Sequence, residues 1–168
     1  MHSDGHSAAK AKSAEHADLD PASDLRLEAA RRRLAEASDR EDALEAVREI
    51  VGNLLGCEEM GLFQVDNGVR MLWSFGIDPQ QHDAFGNLGD EGLHRVMRGE
   101  CHFEVASGEG NGSMCRTQAF VPLRRASQTV AVLAILKLLP QKQGFDRPDM
   151  NLLALLSEEA GKALFGSA

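Results

Sequence analysis

The chain has 168 residues, 43% of them hydrophobic, and a formal net charge of −8. That length supports one ordinary core rather than two, and no apolar run reaches the length of a membrane-spanning helix. The acidic balance argues against nucleic acid as a partner, because phosphate contacts need a concentrated basic face.

Residues 1–24 are rich in Ala, Ser, Asp and His, and Leu19 is their only large aliphatic side chain after Met1. Such a segment buries too little apolar area to offset its ordering entropy and is expected to be a disordered acidic and polar tail. It lacks the apolar core of a signal peptide, which points to the cytoplasm. His2, His6 and His16 have no rigid scaffold and read as part of that tail rather than as a metal site. Cys57, Cys101 and Cys115 stand at wide spacings, with neither a C-x-x-C pair nor an even set for disulfides, and read as reduced thiols.

Order is expected from residue 25. In "DLRLEAARRRLAEAS" Leu27, Ala30 and Leu34 recur at helical spacing, giving a leading helix over 25–37. Arg31 to Arg33 fall on its solvated face. Ser38 followed by Glu41 reads as a capping box for a second helix, whose stripe is Leu44, Val47, Val51 and Leu54 and whose stop is Gly56. These two stripes, with the last helix, offer more apolar edge than one sheet face can cover. Leu27, Leu34, Leu44 and Val51 are therefore the candidate interface of a homodimer built through a helical bundle.

The period then changes to two. "EEMGLFQVDNGVRMLWSFGID" reads as a hairpin turning at Asp66-Asn67-Gly68 and returning over Val69 to Phe75, since Asn and Gly accept positive φ. Residues 76–113 are the least regular, with a short helix over Glu91 to Met97, capped by Asp90 and stopped by Gly99, and a short strand over Cys101 to Val105. "GEGNGS" has no Walker lysine and reads as a loop rather than a phosphate cradle. His82, His94 and His102 lack the i, i+4 spacing of metal ligands on a helix, so no metal site is expected. A strand over Thr117 to Leu123, a polar turn over Arg124 to Gln128 and a buried strand over Val130 to Leu138 follow. Asp146 or Asp149 then caps a terminal helix that tolerates Pro148 in its first turn, with Met150 or Leu153, Leu156, Ala160 and Ala163 or Leu164 on its buried face. The order of elements describes an α+β layer domain over 25–168.

From residue 38 to 165 the sequence resembles the GAF domain family. The resemblance is carried by "DREDALEAVREIVGNLLGCEEMGLFQVD", by "AFVPLRRASQTVAVLAILKL" and by the exit "FDRPDMNLLALLSEEAGKAL". It implies a central antiparallel sheet with the N- and C-terminal helices on one face and the variable helical and loop segment on the other, often as the lid of a small-molecule pocket. A ligand there would meet Phe63, Trp73, Phe75 and the 117–123 strand from the sheet. The lid would supply Phe85, Leu88, Leu93, Val96 and Met97, and His94, Arg95, Arg116 and Gln118 would orient the ligand.

The family's subclasses differ in chemistry, and each needs its own residues. Cyclic-nucleotide binders carry an Asn-Lys pair after the long strand; here Pro140-Gln141 stand there and Met150 replaces a Glu, which leaves Phe145 as a core anchor and Asp149 as a helix cap. Bilin binders use a Cys beside a His, for which Cys101-His102 is the nearest match, but the chain has no Tyr and one Trp. No cofactor is expected. A small reductase of the same family uses paired cysteines, for which Cys101 and Cys115 are the candidates. Glu100 and Glu104 would raise the Cys101 pKa, the wrong direction for a nucleophile, and Arg116 alone would assist Cys115. The expectation is a cytoplasmic regulatory or adaptor module in signal transduction, not an enzyme. It would act by association with itself or a partner protein and be open to gating by a small ligand; the cysteine-based reductase is the alternative.

Overall fold

A computed structural model of the chain describes residues 21–65, 69–77, 91–99, 104–105, 119–142 and 144–166. Five strands form one antiparallel sheet in the order β2-β1-β5-β4-β3. They are β1 (Cys57–Gln64), β2 (Arg70–Phe75), β3 (Glu104–Val105), β4 (Ala119–Arg125) and β5 (Gln128–Leu138). The helices are α1 (Pro21–Ala35), α2 (Arg40–Glu49), α3 (Glu91–Met97), α4 (Arg147–Leu155) and α5 (Gly161–Phe165). A π turn extends α2 over Ile50–Leu54, and another, Leu156–Ala160, joins α4 to α5. The α+β architecture expected from the order of elements is the one observed.

Period-two burial sorts the sheet into two faces. Met60, Leu62, Ala119, Val121, Leu123, Ala131, Leu133 and Ile135 join the main core with α1, α2, α4 and α5. Phe63, Phe120, Val132, Ala134 and Leu136 join a smaller core on the opposite face with Ile77 and Val96. Each strand sends alternate side chains to opposite sides, so apolar residues at consecutive positions of β5 mean burial on both faces.

The helical layer differs from the sequence reading in three places. Helix α1 begins before residue 25: residues 21–24 belong to it, and Ser23 is buried, while residues 1–20 lie outside the described residues. The cap of α2 is Asp39, whose carboxylate accepts from the Asp42 N–H, while Asp42 accepts from the Ser38 N–H. The cap is thus one residue later than Ser38, and the return bond goes to the residue before the cap rather than closing a box. Finally, the buried stripe of α2 is Ala43, Ala46, Val47, Ile50, Val51 and Leu55, with Leu44 and Leu54 at its margin. The alanines let the helix approach the core closely. In the π turn the Leu55 N–H donates to the Ile50 carbonyl at 3.1 Å, and the extra residue per turn brings Leu55 inward in place of Leu54. Gly56 ends the helix at φ +74°, as its position in the sequence suggests.

At the other end Asp146 and Asp149 cap α4 reciprocally, each carboxylate accepting from the other's backbone N–H at 2.9 and 3.0 Å. Asp149 is 1% exposed and also receives Lys142 Nζ at 2.7 Å and Arg26 at 3.5 Å. Arg26 further donates to the Leu54 carbonyl, so α1, the first π turn and the start of α4 meet at one polar node.

Candidate functional site

The sheet face opposite the main helical layer is the place where the sequence reading puts a ligand. Phe63, Val132 and Ala134 are wholly buried there, Phe120 and Leu136 nearly so, and Met71, Val65, Val69 and Met97 pack around them. Helix α3 lies over β4 and β5, with Val96 turned wholly inward. His94 and Arg95, expected to orient a ligand, are exposed on α3. The described part of this face is therefore an apolar core.

Trp73 and Phe75 are not part of it. They pair with Leu62 and Met60 and pack, like them, on the main core; the Arg48 guanidinium stands 4.6 Å from the Phe75 ring centroid. The register between β1 and β2 shifts after Leu62, leaving Leu72 as the extra residue of a bulge, so that Met71 rather than Trp73 shares the face of Phe63. A pocket between Trp73 and Met97 is excluded, because the sheet separates them. Of the other candidates, Phe85, Leu88, Cys101, Cys115, Arg116 and Gln118 lie outside the described residues, as does the side chain of Leu93.

The residues proposed for a bundle interface are also redirected. Leu34 is 4% and Val51 0% exposed within the chain's own core, while Leu27 and Leu44 are half-buried against it. One sheet face alone would leave the stripes in surplus; α1, α2, α4 and α5 bury them on one another as well.

Two surface grooves involve the helical layer. One, of about 270 Å³, runs between α1 and the first π turn and is lined by Ala29, Ala30, Arg33, Glu49, Ile50, Asn53 and Leu54. The other, about 360 Å³, is acidic and formed by Asp39, Glu41, Asp42 and Glu45. Arg33 binds Glu49 at 2.9 Å and Asp42 at 2.8 Å. Both hydrogen bonds raise the Arg33 pKa above its ordinary value, and the bond from Arg33 is the main cause holding the Asp42 carboxyl below its own. Among the described residues no three His, Cys, Asp or Glu side chains are grouped to hold a metal ion. No helix among them is long and apolar enough to cross a membrane.

Cys57 is the described cysteine. It is buried, its thiol donates to the Glu59 carbonyl at 3.0 Å, and burial pushes its pKa up to about 11. That environment suits an inert core thiol.

A five-stranded antiparallel sheet with the terminal helices on one face and a short helix on the other defines a GAF-type α+β domain, and solved structures bear this out. The GAF domain of an Acinetobacter phosphoenolpyruvate-protein phosphotransferase superposes with a TM-score of 0.61 at 14% identity, over 88% of this chain and 95% of that one. The corresponding domain from Coxiella burnetii gives 0.61 at 16%, over 85% and 92%. Free methionine-R-sulfoxide reductase of Neisseria meningitidis, solved with its substrate, gives 0.59 at 16%, over 89% and 93%. Neither a protein-family model nor a curated protein sequence matches the chain. The chain has the GAF-domain fold.

Proposed function

We propose that this chain is a cytoplasmic regulatory module that works by protein association, with itself or with another component of a signalling assembly. The observation that carries this is the buried apolar second face of the sheet. Phe63, Phe120, Val132 and Ala134, where a small ligand would lie, are buried within the chain, and His94 and Arg95 of α3 are exposed. The likeness to GAF domains of phosphoenolpyruvate-protein phosphotransferases supports a regulatory setting. Fold alone does not fix chemistry.

A second reading is favoured by the likeness to the Neisseria meningitidis reductase. In it one thiolate, from Cys101 or Cys115, attacks the sulfoxide sulfur and the other thiol resolves the adduct. The sulfoxide is reduced to the thioether, its oxygen leaves as water, and the two thiols are oxidised to a disulfide. Cys57 is unsuited to either role, since its thiol stays protonated.

One assay separates the two. The full chain is incubated with free methionine-R-sulfoxide and a dithiol reductant, and methionine is quantified. No turnover above the reductant alone is expected. Turnover that disappears in Cys101→Ser or Cys115→Ser would replace the association reading with the enzymatic one.

A further inference from the structure

The tip of the β4–β5 hairpin combines three features that the fold does not require. Ala126, Ser127 and Gln128 are exposed, and Ser127 holds left-handed backbone at φ 71°, where glycine or asparagine costs less. Just before them the Arg125 Nε is buried without a hydrogen-bond partner, the one buried side-chain nitrogen or oxygen so left among the described residues. A buried donor left unpaired is destabilising, and a chain with a net charge of −8 nevertheless gives it no carboxylate. Finally, Arg124 and Arg125 stand three and two residues before Ser127, an arrangement that no other serine or threonine of the chain has.

We infer that Ser127 is a phosphorylation site, read by a protein kinase that selects arginines on the N-terminal side of its acceptor, and that Arg125 holds the phosphate afterwards. Arginines at fixed offsets can be recognised by acidic groups lining a kinase cleft, a charge pattern that gives specificity. The γ-phosphoryl group of a nucleoside triphosphate passes to Ser127 Oγ. Its bond to the bridging oxygen breaks as the new O–P bond forms, the hydroxyl proton goes to the kinase's base, and the nucleoside diphosphate leaves. The turn is able to open into such a cleft. The register of β4 on β5 shifts between Leu123 and Arg124, so the Arg124–Thr129 and Arg125–Gln128 pairs can part while the rest of the ladder stays closed. The phosphoserine then brings three acceptor oxygens and about two negative charges close to Arg125. That half-buried guanidinium can turn its Nε and one Nη onto two of those oxygens, a fork that suits phosphate. The donor that the unmodified chain leaves unpaired is thereby satisfied. The site does not depend on the association proposed above.

The test uses the full chain. It is incubated with Mg–ATP and a serine kinase selective for arginines two and three residues before the acceptor, and phosphopeptides are mapped by mass spectrometry. Ser127 should be modified in the folded chain, and Ser127→Ala should lose most of the incorporated phosphate. Modification of a synthetic peptide of residues 119–134 with none in the folded chain would show that the turn is not presented, and would overturn the site. A chain given phosphoserine at position 127 during translation tests the role of Arg125 without the kinase. It should melt about 2–4 °C above the unmodified chain, as for one added charge-assisted contact in a domain of this size. Its Arg125 Nε–Hε NMR signal should move downfield. Arg125→Gln should abolish the gain in melting temperature. No gain in the wild-type sequence, or an equal gain with Arg125→Gln, would overturn the pairing on which the inference rests.

Discussion

Gly161 lies against the backbone of Arg124. A Cβ at position 161 would overlap the Arg124 carbonyl oxygen and stand 2.8 Å from its carbonyl carbon. One turn earlier the Ser157 hydroxyl donates to the Pro122 carbonyl at 2.6 Å. Among the described residues β3 pairs with Ala119 and Phe120 alone, so Pro122 of β4 meets no described strand on that side, as suits a residue without an N–H. The terminal helix is therefore set onto the sheet by one small residue and one hydroxyl.

Gly161→Ala should destabilise the fold by about 2 kcal/mol in urea titration, overpacking against rigid backbone outweighing the better helix propensity of alanine. Ser157→Ala should cost about 1–2 kcal/mol, since the buried carbonyl loses its partner. A Gly161→Ala chain as stable as wild type would mean that helix and strand are not in this contact.

The β4–β5 turn carries strain that substitution can relieve. Ala126 and Ser127 have φ values of 50° and 71°, left-handed backbone that asparagine and glycine adopt at less cost. Ala126→Asn with Ser127→Gly should raise stability by about 1 kcal/mol, seen as a higher urea midpoint at unchanged slope. A neutral or lower midpoint would argue against this turn geometry.

These contacts mark where sequence was informative. Hydrophobic periodicity marks the strands, and cap and glycine chemistry marks α3, the Gly56 stop and the Asp146–Asp149 cap, because each depends on neighbours within a few residues. Strict alternation puts Trp73 and Phe75 on the face of Phe63, but a bulge at Leu72 shifts it, and a bulge is a property of the pairing of two strands. Leu34 and Val51 read as spare for the same kind of reason: helix stripes show that a face is apolar without showing what covers it. Ala43 and Ala46 carried too little hydrophobicity to be counted, yet they are wholly buried. The partners of Gly161, Ser157 and Arg26 are distant in the chain, at Arg124, Pro122 and Asp149, and no local pattern announces them.

The polar node at the start of α4 should make stability depend on acid. The hydrogen bond from the Asp149 N–H is the main cause holding the Asp146 carboxyl below its ordinary value of 3.8. A depressed folded-state pKa adds stability that is present above the unfolded value and lost as pH falls through the folded one. Wild type should therefore lose stability on acidification below about pH 4, and Asp146→Asn should lose less over that range. Asp149→Asn should cost about 2–3 kcal/mol at neutral pH, as Lys142 and Arg26 lose their counter-charge while keeping some access to water. Chemical denaturation from pH 3 to 7 of the three chains distinguishes these effects; parallel profiles for wild type and Asp146→Asn would refute the assignment.

Cys57 gives a dependence of opposite sign at high pH. Burial raises its pKa from 9.0 to about 11, so between those values the unfolded thiol releases its proton while the folded one retains it. The folded state then binds more protons, and stability falls as pH rises. The loss approaches about 2–3 kcal/mol by pH 11, from two pKa units at 1.36 kcal/mol each. Cys57→Ala should flatten the profile between pH 9 and 11 while lowering stability at pH 7 by roughly 1 kcal/mol through lost packing. At neutral pH the Cys57 thiol should resist alkylation by iodoacetamide until the chain unfolds, since both burial and protonation withhold the thiolate. Peptide mass spectrometry after a timed pulse of reagent reads this directly, and rapid labelling of Cys57 in native buffer would refute the buried, protonated thiol.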